Sequence, residues 1–167
     1  DAVAGGGGLI QLPALLAVFP TAPLALISGT NKSVSVVGTS AAALTYGRGM
    51  SLQARVVVPM AASAFAASAA GAALVTRLDR AMVEPIIMVV LIGVVVFTLL
   101  RPDMGTVVGQ RPRGVLAACG LGAGIGFYDG IIGPGTGTFL VLGLVSVLGA
   151  TFLTASAMAK AVNVATK

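Results

Sequence analysis

The sequence predicts an all-α polytopic membrane protein made of two homologous halves with glycine-broken helices, the second half truncated. Three observations predict it. Only 9% of the 167 residues are charged and 57% are hydrophobic, whereas a soluble domain carries roughly 25% charged residues. Mean hydropathy is +1.04, so too little polar surface exists to cover a globule in water, and a lipid bilayer is the implied solvent. Finally, one offset of 128 residues carries Asp1 to Asp129, Lys32 to Lys160, and Gly5 and Gly7 to Gly133 and Gly135. Self-similarity of this kind marks a duplicated unit. It divides the chain into a first transmembrane repeat, 1–112, and an incomplete second repeat, 113–167. Nothing in the second copy matches residues 40–110 of the first. The chain therefore reads as a fragment lacking a few N-terminal and ~80 C-terminal residues, judged by the length of the first repeat.

The elements follow in order. The run Gly5–Gly8 predicts unwound chain, and Leu9–Phe19 a half-helix after it. A returning helix, roughly Ala22–Tyr46, carries Lys32 about 10 residues in, hence ~15 Å deep at 1.5 Å per residue. Val56–Thr76, framed by Arg55 and Arg77, and Ala81–Leu100, ending at Arg101, are plain spans, each near the ~20 residues that cross hydrocarbon. The small residues of Ala61–Ala73 in the first of them let neighbouring helices approach closely. The third unit is discontinuous. Helix Val115–Tyr128 leads to an unwound stretch Asp129–Gly137, broken by GPGTG, and then to half-helix Thr138–Leu148; Pro and clustered Gly disfavour a continuous helix. A second lysine-bearing helix starts at Phe152. Arg48, Arg55, Arg101, Arg111 and Arg113 fall in loops on one side, against Arg77 and Arg80 on the other. The positive-inside rule places the five-arginine side in the cytoplasm.

Composition also excludes. There is no His, and Cys119 is the single cysteine, which removes the usual zinc spacings and an internal disulfide. No metal or other cofactor is expected. The net charge of +5 lies in short inter-helix loops and is a topology signal, not a nucleic-acid footprint. GLGAGIG at Gly120–Gly126 has Ile125 where a dinucleotide fingerprint needs its third glycine, and GPGTGT lacks the G-K-[ST] ending of a P-loop. The Gly120/Gly124 and Gly122/Gly126 spacings suit helix packing in lipid instead. With five acids and no nucleophile constellation, an enzyme is not expected.

Function concentrates at the two breaks. Unwound backbone persists at membrane depth only where it is buried or lines a cavity. Glycine N–H groups at a half-helix N-terminus form a cradle for an anion; close packing or a passive hinge is the plain alternative. Lysine at a helix centre costs about 2.5–3.5 kcal/mol on insertion scales, so Lys32 and Lys160 need compensation, unless they snorkel to the interface. Thr30 and Asn31 adjoin Lys32, and Asn163 lies one turn beyond Lys160. Asp1 and Asp129 are candidates for proton or ion coupling. They equally fit ion-paired partners of the lysines.

The stretches DAVAGGGGLIQLPALL, GTNKSVSVVGTSAAALTYGRG and GFYDGIIGPGTGTFL together resemble the sulfite exporter TauE/SafE family over nearly the whole chain. The resemblance implies a bacterial inner-membrane, multi-pass permease of two homologous halves that moves small anions, often sulfur-containing ones such as sulfite or sulfonates. Carried over by position, Gly5, Gly6, Gly7, Gly8, Thr30, Asn31 and Lys32 match in the first half, beside Asp1. Gly133, Pro134, Gly135, Gly137, Lys160 and Asn163 match in the second, beside Asp129. An anion channel and a non-transporting membrane scaffold are the alternative functions. The expected partners are the lipid bilayer and a small anionic substrate, with self-association left open.

Overall fold

In the computed structural model, the described residues are 7–49, 53–77, 80–100 and 114–167, and every element among them is helical. In chain order these are α1 (Gly7–Val18), α2 (Leu24–Gly49), α3 (Ala54–Val75), α4 (Arg80–Leu100), α5 (Val115–Ile131), α6 (Thr136–Leu148) and α7 (Phe152–Ala165). An all-helical solution follows from the composition. Without water to bond to, each N–H and C=O needs a partner within its own segment, and the helix provides one. The 22 residues of α3 are long and apolar enough to cross a membrane, spanning about 33 Å against a hydrocarbon core of ~30 Å. Pro13, Pro59 and Pro85 lie inside α1, α3 and α4, a placement that membrane helices tolerate.

Helix α2 is inside-out. Its buried face beyond Ile27 is Ser28, Asn31, Ser35 and Thr39, while Leu26, Val34, Val37 and Leu44 are exposed. A helix in water would turn these faces the other way. The exposed hydroxyls of the same helix are tied to its own backbone: Thr30 donates to Leu26 O, Ser33 to Gly29 O and Thr45 to Ala41 O, each at 2.9 Å. That arrangement satisfies a hydroxyl facing lipid.

Helices α3 and α5 pack backbone to backbone. Val57, Met60, Ala64, Ser68, Gly71 and Val75 form one buried stripe on α3, facing Gly122, Gly126 and Gly130 of α5. A methyl group at Gly122 would lie 2.6 Å from Met60 O. At Gly126 and Gly130 it would collide with the carbonyls of Ala64 and Ser68. The expected packing spacing is thus right for Gly122/Gly126, whereas Gly120 and Gly124 face open space. One core joins α3, α5, α6 and α7 through Met60, Ala64, Ala118, Leu140, Leu144, Met158 and Val162. A second gathers Leu12 and Leu16 of α1, Leu24 and Ile27 of α2, and Val75, Val83 and Ile87, together with Ile132 of the break.

Both breaks differ from expectation. The second is shorter than Asp129–Gly137: α5 continues to Ile131 and α6 starts at Thr136, so Asp129 and Gly137 are helical. Ile132 N–H still reaches Tyr128 O at 2.9 Å, and Phe139 N–H reaches Gly135 O at 3.1 Å, which leaves only four residues between the helices. Gly133 (φ 87°) and Gly135 (φ 83°) make that short link in the left-handed region, where a side chain would be strained. In the first copy, α1 already includes Gly7 and Gly8, so those two are helical and not unwound. Asp1, Gly5 and Gly6 lie outside the described residues, as does the expected repeat boundary at 112/113. The returning helices start at Leu24 and Phe152, the same 128 residues apart as their lysines.

Candidate functional site

Asp129 is fully buried on the last turn of α5. A carboxylate there faces the negative end of the α5 dipole, and burying it unpaired would be strongly unfavourable. Two cations and a hydroxyl compensate. Lys32 Nζ, from the middle of α2, donates to Oδ2 at 3.2 Å. Lys167 Nζ donates to Oδ1 at 2.7 Å. Thr136, the first residue of α6, places its hydroxyl 2.6 Å from Oδ1 and also against the Gly133 carbonyl. A hydroxyl has one proton, so it serves one of those acceptors at a time. The short break is what brings Thr136 back onto Asp129, seven residues earlier.

The end of α7 closes the cluster. Lys32 Nζ also reaches Thr166 O at 3.3 Å, and Ser68 Oγ of α3 donates to the same carbonyl at 2.9 Å. The Thr166 hydroxyl lies within reach of Asn163 O (3.1 Å) and Asn163 Oδ1 (3.3 Å). Tyr128 OH donates to Pro134 O at 2.6 Å, and its ring meets Phe139 edge-on with centroids 5.3 Å apart. These contacts pin the break to both flanking helices. The four helices α2, α3, α5 and α7 and the start of α6 therefore converge on one carboxylate.

Of the residues expected from sequence, Lys32 and Asp129 are in direct contact, and Gly133, Gly135 and Gly137 are buried beside them in the break and the first turn of α6. Asn163 is buried next to Thr166. Lys160 is buried on α7, two turns before Lys167; it is Lys167 that reaches Asp129. Asn31 is buried on the interior face of α2, and its Oδ1 has no hydrogen-bond partner among the described residues. Thr30 is not brought in: it is exposed and bonded to Leu26 O. Asp1, Gly5 and Gly6 are outside the described residues, and Gly7 and Gly8 are in α1. Sequence reasoning missed Lys167, Thr136, Ser68 and Thr166. Lys167 was signalled only as a further lysine close behind Lys160, and it lies just beyond the end of α7. Thr136 was signalled by its place just after the glycines. Among the described residues, two lysines, Lys32 and Lys167, face the carboxylate of Asp129. Among the described residues no cluster of groups suits a metal ion.

The family model described as "Sulfite exporter TauE/SafE" matches residues 1–167. The chain belongs to this family. Relatives include "Probable membrane transporter protein ORF9" of Sinorhizobium sp, 37% identical over 164 residues, covering 98% of this chain and 62% of the relative. A "Probable membrane transporter protein" of Haemophilus influenzae is 34% identical over 164 residues, covering 98% and 64%. The "Probable membrane transporter protein YfcA" of Escherichia coli K12 is 34% identical over 170 residues, covering 98% and 60%. The chain thus spans roughly three fifths of the length of these relatives. No solved structure matches. Membership makes this an all-α membrane protein of a transporter family, in agreement with the inside-out α2 and the apolar exterior.

Proposed function

We propose that the protein acts as a multi-pass permease of the bacterial inner membrane that carries small anions, sulfur-containing ones such as sulfite or organic sulfonates. The observation that carries this reading is the pair of lysines, Lys32 and Lys167, that meets the carboxylate of Asp129 among the described residues, beside Thr136 at the N-terminus of half-helix α6. Lysines so placed favour an anionic guest, and helix N-termini add to that preference. The sulfur preference rests on the family description alone.

In this reading Lys32 and Lys167 hold the guest from one side, and the break Ile132–Gly135 supplies backbone groups from another. Lys160 lies on α7, and Lys167 follows just beyond the end of that helix; Lys160 adds positive potential. Asp129 keeps the lysines compensated while the site is empty, and Asp129 or Asp1 couples transport to a proton or ion. Two homologous halves, 1–112 and 113–167, rock against each other around this point. The equal offsets of the returning helices and of their lysines support that pairing.

The test is equilibrium binding of sulfite, sulfoacetate, taurine and acetate to the whole protein in detergent, beside Lys32→Ala and Lys160→Ala. Saturable binding of one anion, weakened at least tenfold in both variants, is expected. Unchanged binding in both would remove the lysines from the site. Flux into proteoliposomes that saturates and follows a gradient separates a permease from an ohmic channel.

A further inference from the structure

We infer that the interior face of α2, formed by Ser28, Asn31, Ser35 and Thr39, lines the hydrated route by which the anion passes the Lys32–Asp129 cluster. The inference rests on the transport reading above and gives it a path. All four residues are buried. Ser28 Oγ, Asn31 Oδ1 and Thr39 Oγ1 have no hydrogen-bond partner among the described residues.

Contrast within one helix makes that observation informative. On the exposed face, Thr30, Ser33 and Thr45 each bond a carbonyl four residues back. The same back-bond is open to Ser28 and Thr39 by geometry of the helix, yet neither makes it. Hydroxyls that are free of the backbone and shielded from lipid are available to a mobile guest: water or an anion. Native interiors rarely leave such groups unmet.

The spacing suits a path and not a single pocket. From Ser28 to Thr39 the helix rises about 16.5 Å, more than half of a ~30 Å hydrocarbon core. Lys32 sits inside that interval, so neutral donors flank the cationic site in both directions. Neutral donors hold an anion weakly enough to release it, and the cation sets the sign of what passes. A cation route is disfavoured by the two lysines, Lys32 and Lys167, that the described residues place at the same cluster.

Cysteine accessibility tests this without knowledge of the substrate. In the whole protein in membrane vesicles, with Cys119→Ala as background, single cysteines replace Ser28, Ser35 and Thr39, and Val34 and Val37 as the lipid-facing set. The probe is an anionic, water-soluble methanethiosulfonate, which reacts with thiolates and hence only where water reaches. Labelling of positions 28, 35 and 39 at least tenfold faster than 34 and 37 is expected. Equal rates on both faces, or labelling of neither while an added loop cysteine reacts, would overturn the route. Should the pattern hold but no anion be carried by the parent protein, the route stands and the transport reading falls. Thr39→Val guards against misfolded cysteine variants. It deletes a hydroxyl without a partner, so the thermal midpoint should hold or rise while sulfite flux drops about tenfold; Thr45→Val should change neither. A parallel loss of midpoint and flux in Thr39→Val would assign Thr39 to structure and overturn its place on the route.

Discussion

Lys32 and Asp129, 97 residues apart in sequence, meet with Nζ 3.2 Å from Oδ2. The lysine comes from the first copy of the repeated pattern and the aspartate from the second. Each copy's own pair is separated by 31 residues, so a reading within one repeat would never join them. The contact therefore joins two stretches of sequence related by the 128-residue offset.

This pairing predicts unequal effects of the two truncations. Asp129→Ala strips the counter-charge from both Lys32 and Lys167 and leaves two part-buried cations together. Breaking a buried pair by deleting one partner costs about 3–5 kcal/mol, and this variant should lie at the upper end. Lys32→Met leaves Asp129 with Lys167 at 2.7 Å and should lose less than half as much. Thermal unfolding of the whole protein in detergent measures both. Equal losses would mean that Lys167 does not support Asp129.

Thr136 offers a finer probe. Its hydroxyl 2.6 Å from Asp129 Oδ1 is a hydrogen bond to a charged group, worth about 1.5–3 kcal/mol. Thr136→Val should lower stability by about that amount and Thr136→Ser should recover most of it. A thermal series on the three proteins decides. If Thr136→Val matches the parent while Thr136→Ser is destabilised, the methyl packing and not the hydroxyl matters.

How much of this was legible beforehand depends on the kind of signal. The spans were readable because apolar length is a one-dimensional property. Val56–Thr76 and Ala81–Leu100 each shift by two residues or fewer against α3 and α4. Lys32 and Asp129 were readable as charges that hydrocarbon forbids unless compensated. Their partnership was not, because it depends on which helices are neighbours. The break was over-read: four glycines, a proline and an aspartate suggested nine unwound residues. Helical hydrogen bonding persists to Ile132 and resumes at Thr136, since every unpaired amide at depth is costly. The polar face of α2 was in the sequence as Ser28, Asn31, Ser35 and Thr39 at spacings of three and four. It went unread because serine and threonine are unremarkable in membrane helices until their burial is known.

The last prediction concerns the glycines, where sequence spacing alone cannot choose between positions. Gly124 and Gly126 lie on one helix, two residues apart and hence on different faces. Gly124 faces open space, while a methyl group at Gly126 would strike the Ala64 backbone. Alanine has the higher helix propensity by about 1 kcal/mol, so Gly124→Ala should be neutral to stabilising. At Gly126 that gain is opposed by overpacking against main chain, which cannot rotate away as a side chain can. Overpacked cores lose about 1–3 kcal/mol, and a rigid backbone contact belongs at the high end, so Gly126→Ala should be destabilised by about 1–2 kcal/mol net. Gly130→Ala should be worse, because it meets the Ser68 carbonyl while Ser68 Oγ is holding Thr166 O. Moving α3 away from α5 there would loosen the support of Thr166, which Lys32 also contacts. Unfolding midpoints for the three variants, with anion binding measured on each, separate packing from function. Gly126→Ala should lose stability with binding retained in the folded fraction, and Gly130→Ala should lose both.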